Sequence, residues 1–124
     1  MAETRDARYR VGVTGCGRKG TEYARAYHLH PSTEVVAAAD SDAENLELFC
    51  RRFNLEKGYT NYEEMLRHEK IDIASVILPV KPNPEVVLGC VRARVGAINC
   101  EKPIAASLEE ADQMVEACRA QGIK

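Results

Sequence analysis

The protein has 124 residues, enough for one domain with a single hydrophobic core. Its 17 Lys and Arg residues against 19 Asp and Glu residues give a formal net charge of −2. The cations are interleaved with acids, so we expect no nucleic-acid partner. The longest apolar run, residues 35–39, is too short to span a bilayer.

The elements predicted along the chain alternate between strand and helix. A polar arm over residues 1–9 precedes a single domain over residues 10–124. The apolar runs and turn residues predict five strands, at 11–13, 34–39, 58–60, 71–78 and 97–100. Helix-period segments predict five helices, at 18–29, 42–53, 62–69, 84–94 and 108–121. Three of these helices follow capping boxes, which pair Ser41 with Glu44, Asn61 with Glu64, and Ser107 with Glu110.

This alternation predicts an α/β fold of the doubly wound, Rossmann-like type. Right-handed crossovers place helices on both faces of a mostly parallel sheet of five strands. The chain ends at Lys124, after a helix that would lead into a sixth strand. We therefore expect a domain truncated before that strand, with an open sheet edge and a tendency to self-associate.

The five cysteines, at positions 16, 50, 90, 100 and 118, form no pattern typical of a metal site or a disulfide framework. Their number is odd, no CxxC pair occurs, and no His lies at zinc-ligand spacing from them. Residues 1–10 are polar throughout, unlike a secretory signal peptide. We expect reduced thiols, no metal, and a cytoplasmic protein that contacts no membrane.

The loop Gly15-Cys16-Gly17-Arg18-Lys19-Gly20 matches the GxGxxG pattern, and it follows a predicted strand and opens a predicted helix. In such a loop the first glycine permits the turn and the second lets backbone approach a pyrophosphate. The third allows helix and strand to pack closely. The helix start offers unpaired N–H groups to the phosphates, so the pattern predicts a dinucleotide site.

Asp40 ends the next strand, twenty positions after Gly20. A carboxylate there accepts hydrogen bonds from the adenosine ribose hydroxyls and repels a 2′-phosphate, which favours NAD. Arg18 and Lys19 leave NADP open, because a cation in the loop contacts either the pyrophosphate or a 2′-phosphate. An equally good alternative to a cofactor contact is that both side chains are simply solvated.

A second motif, Glu101-Lys102-Pro103, follows the last predicted strand and leads into Ile-Ala-Ala-Ser-Leu-Glu-Glu-Ala. With Asp72 and Pro79, it resembles the nucleotide-binding domain of the glucose-fructose oxidoreductase / inositol dehydrogenase (Gfo/Idh/MocA) family over about residues 9–124. The resemblance implies that Lys102 lies beside the nicotinamide and assists proton movement on a substrate hydroxyl. Pro103 is expected to make this turn rigid, and a cis peptide bond is one means.

The resemblance and the loop together give one set of candidate site residues. Lys102 is the candidate catalytic residue, and the candidate cofactor-binding residues are Gly15, Cys16, Gly17, Arg18, Lys19, Gly20, Asp40, Ser41, Leu78, Pro79, Asn83, Glu101 and Lys102. Leu78 and Asn83 stand where the family often has Thr and His, which bears on substrate orientation more than on the cofactor. His28, His30 and His68 lie near helix ends and are expected to be solvated or packed.

The resemblance implies an NAD(P)-dependent oxidoreductase domain acting with a sugar, polyol or related hydroxy compound. Family members carry the substrate pocket in a second domain, which we expect this chain to lack. The alternative is a stand-alone dinucleotide-binding or interaction module without catalysis.

Overall fold

The computed structural model describes residues 7–124, which form four strands and five helices. The strands are β1 (Tyr9–Thr14), β2 (Thr33–Ala39), β3 (Ile73–Val76) and β4 (Ala97–Cys100). The helices are α1 (Arg18–Leu29), α2 (Ala43–Arg52), α3 (Tyr62–His68), α4 (Asn83–Arg92) and α5 (Leu108–Gln121). Every strand pair is parallel, in the order β2-β1-β3-β4, which confirms a parallel Rossmann-like sheet.

The prediction of five strands is wrong by one. Residues 58–60 form a single parallel bridge, in which the Tyr59 N–H bonds the Ala38 carbonyl and the Asp40 N–H bonds the Tyr59 carbonyl. Asn61 already caps α3, so the chain leaves the sheet after one paired residue. The predicted strand at 71–78 is also longer than the observed β3, because Leu78 and Pro79 leave the ladder after the Ile77 N–H bonds the Thr14 carbonyl.

Side chains cap three of the five helices, and one of these caps differs from the prediction. Asp42, not Ser41, caps α2, and its carboxylate accepts the N–H groups of Glu44 and Asn45. Asn61 and Ser107 cap α3 and α5 as predicted, but the return bonds of the capping boxes do not form: Glu64 bonds Arg67 and His68, and Glu110 accepts the Ala106 N–H. A carboxylate at the cap also complements the positive end of the helix dipole, which favours Asp42 over Ser41.

The two faces of the sheet carry separate apolar clusters. One packs α1 and α2 on β1 and β2 through Val13, Ala24, Ala38 and Phe49. The other lies under α3, α4 and α5 and includes Met65, Val76, Val87, Cys90 and Met114. Because the strands are parallel and β1 is central, the loops after all four strands meet at one edge of the sheet.

The end of the chain returns to the sheet beside β4. The Lys124 N–H bonds the Gly96 carbonyl at 3.2 Å, and the Ile98 N–H bonds the Lys124 carbonyl at 2.9 Å. This is the hydrogen-bond pattern of a parallel ladder, with Lys124 opposite Ala97.

Residues 1–6 of the predicted polar arm lie outside the described residues, and Tyr9, also assigned to the arm, is the first residue of β1. None of the helices within residues 7–124 has the length and apolar character needed to cross a membrane.

Candidate functional site

The three glycines of the loop differ in how much space a side chain would have. Gly15 has φ +103°, and a Cβ there would overlap the Ile77 carbonyl. A Cβ on Gly20 would overlap the Gly15 carbonyl, so helix and loop approach too closely for any side chain. A Cβ on Gly17 would meet nothing within 4 Å. The fold itself therefore requires the first and third glycines, while the space beside Gly17 is open for a ligand.

The start of α1 differs from the starts of α2, α3 and α5 in its charge and capping. Its N-cap is Gly17, no side chain caps it, and its first turn contains no acid. The first turn instead carries Arg18 and Lys19, each 3.6 Å from a Glu22 carboxylate oxygen. Cations at this end of a helix dipole are unfavourable without an anion, and the N–H groups suit a phosphate.

Asp40 is bonded to the glycine loop by its side chain. One carboxylate oxygen accepts the Cys16 N–H at 2.7 Å, and the other accepts the Asp42 N–H at 2.8 Å. The Gly15 N–H bonds the Ala39 carbonyl at 2.9 Å, so the loop is tied to the end of β2 twice. Asp40 thus orients the loop as well as presenting a carboxylate beside it.

The thiol of Cys16 is a packing group in this loop. Burial, followed by the charge of Asp40, raises the pKa of Cys16 well above its ordinary value. Its Sγ lies 3.5 Å from the Ala39 carbonyl, as a weak donor. The side chain is therefore a neutral thiol at physiological pH and not a nucleophile.

A cleft of about 550 Å³ opens beside Asp40, between the ends of β2 and β3. Among the predicted residues it brings together Asp40, Ser41, Leu78 and Pro79. Its far wall comes from the segment that follows the Tyr59 bridge, with Thr60, Asn61, Tyr62 and Glu63 among its residues. This wall was not predicted, because residues 58–60 were assigned to a strand and not to a segment lining a site.

The turn after β4 is held from two sides. The Asn83 side-chain amide nitrogen, fully buried at the start of α4, lies 3.4 Å from the Glu101 carbonyl and 3.3 Å from the Pro103 carbonyl. The Glu101 carboxylate accepts the Lys102 N–H at 3.0 Å and the Tyr23 hydroxyl at 3.1 Å. The Lys102–Pro103 peptide bond is cis. Lys102 itself is exposed.

Two pKa shifts accompany this arrangement. The backbone N–H of Lys102 and then the Tyr23 hydroxyl lower the pKa of Glu101, with the charges of Lys19 and Lys102 adding to the effect. The hydrogen bond to Glu101 raises the pKa of Tyr23. At neutral pH a phenol therefore donates to a carboxylate in this turn. Tyr23 is a further residue of the site that the sequence did not indicate.

The remaining candidate residues lie in different parts of the structure. Arg18 and Lys19 point to solvent, with 92% and 67% of their side chains exposed. Asn83 is buried beneath the Lys102 turn, so its direct contact with a cofactor stays a prediction. His28, His30 and His68 are all exposed; His28 packs edge-on against Phe53, and His68 lies 3.2 Å from Glu64. Within residues 7–124, no group of three or more His, Cys, Asp or Glu could hold a metal ion.

Comparison with known proteins gives consistent matches. The family model described as "Oxidoreductase family, NAD-binding Rossmann fold" matches residues 9–124. The mouse (Mus musculus) trans-1,2-dihydrobenzene-1,2-diol dehydrogenase is 31% identical over 116 residues, covering 92% of this chain and 34% of that protein.

Two solved structures show that the similarity extends to the fold. Myo-inositol 2-dehydrogenase from Lactobacillus plantarum has a TM-score of 0.84 at 29% identity, covering 92% of this chain and 34% of that one. A variant of KijD10, a 3-ketoreductase from Actinomadura kijaniata, in complex with TDP-benzene and NADP, has a TM-score of 0.85 at 27% identity, covering 94% and 37%. The chain spans about a third of the length of these relatives. Because the family model covers nearly all of it, the chain belongs to the Gfo/Idh/MocA oxidoreductases, as an NAD-binding Rossmann domain.

Proposed function

We propose that this domain holds a nicotinamide dinucleotide across the carboxyl edge of its sheet, with the pyrophosphate at the glycine loop. The observation that carries the proposal is the contrast within the loop: packing demands Gly15 and Gly20, whereas Gly17 faces open space. A glycine that nothing inside the protein requires is accounted for by close approach of a ligand to the backbone.

The residues that would hold the dinucleotide follow from their places at this edge. The N–H groups at the start of α1 would bind the pyrophosphate, with Arg18 and Lys19 as mobile cations nearby. Asp40 would accept from the adenosine ribose, and the cleft bounded by Ser41, Leu78 and Pro79 would take the adenosine side. The turn with Glu101 and Lys102 would lie towards the nicotinamide.

We propose that the domain supplies the cofactor half of a hydride transfer to or from a sugar, polyol or related hydroxy compound. The nicotinamide accepts or donates the hydride when bound. Lys102, exposed at the carboxyl end of β4, would bind or move the proton of the substrate hydroxyl, since oxidising an alcohol releases a proton together with the hydride. Two relatives of the chain are a diol dehydrogenase and an inositol dehydrogenase, which supports this substrate class.

For the cofactor itself, we propose NAD over NADP. The carboxylate of Asp40 is the argument, because a 2′-phosphate beside it would meet like charge. The exposed Arg18 and Lys19 are the counter-argument, and a relative of the same family is in complex with NADP. The ratio of the two affinities, measured on the same preparation, decides between them.

The experiment is a calorimetric titration of the chain with NADH and with NADPH, repeated with Gly17→Ala. We expect NADH binding by the wild type and at least a tenfold loss in Gly17→Ala, because the new methyl group occupies the space meant for the pyrophosphate. The variant's unfolding curve is the control, and it should shift by no more than about 1 kcal/mol, because no atom lies within 4 Å of the new Cβ while Ala is a poorer N-cap residue than Gly. Absence of heat and of thermal stabilisation at millimolar NADH and NADPH would overturn the proposal.

The second candidate is a stand-alone dinucleotide-binding or interaction module. It is favoured by the groove of about 300 Å³ beside α5, lined by apolar groups such as Ile98, Ile104 and Val115. We propose self-association through this groove and the edge of β4, although Lys124 already pairs with part of that edge. Light scattering at high concentration tests self-association, and a clean monomer would contradict it.

For the cellular location, we propose a reducing, cytoplasmic compartment, which is supported by the five free cysteines.

A further inference from the structure

Tyr23 extends from α1 to the turn that follows β4. It lies three residues beyond Gly20, and its hydroxyl donates to the Glu101 carboxylate across 78 residues of sequence. The same carboxylate oxygen accepts the backbone N–H of Lys102. One oxygen atom therefore connects the helix that begins at the glycine loop with the peptide group of Lys102.

The backbone on either side of Lys102 is held, while its side chain is exposed. The Asn83 side-chain amide nitrogen approaches the carbonyls of Glu101 and Pro103 from α4, and Tyr23 holds the Glu101 side chain from α1. The Glu101 N–H also bonds the Val76 carbonyl at 2.9 Å, which anchors the turn to β3. The direction in which Lys102 leaves the turn thus depends on contacts made by three different elements.

The charges around Glu101 strengthen the contact with Tyr23. The backbone N–H of Lys102 and the Tyr23 hydroxyl lower the pKa of Glu101, and the positive charges of Lys19 and Lys102 add to the effect. A hydrogen bond to an ionised acceptor is stronger than one between neutral groups. The bond is therefore present throughout the neutral range.

We infer that Tyr23 is a positioning residue for Lys102: through Glu101 it fixes the Lys102 turn relative to α1, the helix that receives the pyrophosphate. The inference rests on the proposed function, in which Lys102 acts beside the nicotinamide. Its consequence is that the distance between the two ends of the dinucleotide site is set by a side-chain contact as well as by the sheet.

The test uses Tyr23→Phe, which removes only the hydroxyl. The matched control is Tyr27→Phe, one turn further along α1, where the ring packs on the core and the hydroxyl bonds no residue within 7–124. The first measurement needs no cofactor: the amide proton of Lys102 is followed by NMR as Glu101 titrates. We expect a midpoint below the ordinary glutamate range in the wild type, and a shift towards that range in Tyr23→Phe only.

The second measurement is the change in the Lys102 side-chain resonances on adding NADH. We expect this change to shrink in Tyr23→Phe, with NADH affinity falling about threefold, because Lys102 is then held less firmly in the position from which it would contact the cofactor. Glu101→Ala should reproduce the effect on Lys102, and the double variant should add nothing further.

The outcomes separate the two proposals. If the wild type fails to bind NADH, the proposed function falls, and the cofactor-free titration still decides whether Tyr23 holds the turn. If Tyr23→Phe leaves the Lys102 amide titration and the NADH response like those of Tyr27→Phe, the inference is wrong. Should Tyr23→Phe fail to fold, Glu101→Ala carries the second measurement, and an unchanged NADH response of Lys102 in it would overturn the inference.

Discussion

Replacing Asp40 separates two roles that the structure gives to one carboxylate. Asp40 accepts the Cys16 and Asp42 N–H groups at 2.7 and 2.8 Å, and it lies in the cleft proposed for the adenosine side. Asp40→Ala removes both hydrogen bonds and the charge together. Loss of NADH binding in that variant therefore does not distinguish a missing ribose contact from a misplaced loop.

Asp40→Asn is the sharper change, because an amide oxygen can still accept one of the two N–H groups. Bonds to a charged acceptor are worth roughly 1.5–3 kcal/mol each when buried, and solvent screening at this half-exposed site lowers that to about 1 kcal/mol each. We expect the free energy of unfolding to fall by about 1 kcal/mol in Asp40→Asn and about 2 kcal/mol in Asp40→Ala. The larger loss corresponds to a Tm lower by roughly 6–10 °C.

The binding effect of Asp40→Asn should differ between the two cofactors. NADH loses a charge-assisted contact to its ribose, so its affinity should fall about tenfold. NADPH loses a repulsion with its 2′-phosphate, worth about 1 kcal/mol at 5 Å in water before screening by salt, so its affinity should rise about threefold. The NADH-to-NADPH affinity ratio should thus change by about 30-fold.

Calorimetric titration of both cofactors at one ionic strength measures this ratio. Asp42→Asn is the matched control, because it removes the same unit of charge two residues away while Asn still caps α2. A ratio that stays within about twofold of the wild type in Asp40→Asn, with the expected loss of stability, would refute the ribose role. Asp40 would then be a scaffold for the loop alone.

Three further predictions concern stability. Gly20→Ala should abolish folding or cost more than about 3 kcal/mol, because its Cβ would overlap the Gly15 carbonyl; circular dichroism melting measures this, and a wild-type melting curve would contradict it. Asn83→Ala should cost about 1–3 kcal/mol in a urea titration, since it leaves a cavity and two carbonyls without their buried donor. The bond to Glu69 raises the pKa of Tyr59 to about 12, so its stabilisation is complete below pH 10 and is lost as the pH rises from 10 to 12. Tyr59→Phe should lack that loss, and an identical alkaline limb in both proteins would contradict the assignment.

The sequence predicted the parts of this fold whose signals are local. The glycine loop and the caps at Asn61 and Ser107 depend on residues within a few positions of one another, and the parallel sheet follows from the alternation of strands and helices along the chain. The cap of α2 was misplaced by one residue, because Ser41 and Asp42 are both good N-cap residues and only the backbone shows which one adopts the extended conformation.

The site was less predictable where it depends on contacts between distant segments. The Asp40 bond to Cys16 crosses 24 residues, and the Tyr23 bond to Glu101 crosses 78. Helix periodicity gives no sign that a half-buried tyrosine finds a particular carboxylate on another element. Asn83 shows the same limit: the family resemblance suggested a ligand contact, because Asn83 stands where relatives often have His, whereas its amide is buried against the backbone of the Lys102 turn.

The pairing of Lys124 with β4 fixes the direction in which the backbone runs at that residue. Lys124 lies opposite Ala97 and runs parallel to β4, which ends three residues later at Cys100. At about 3.3 Å per residue, three extended residues continuing from Lys124 would advance about 10 Å, level with the end of β4. Backbone that continues in this direction would therefore reach the edge where the dinucleotide is proposed to bind.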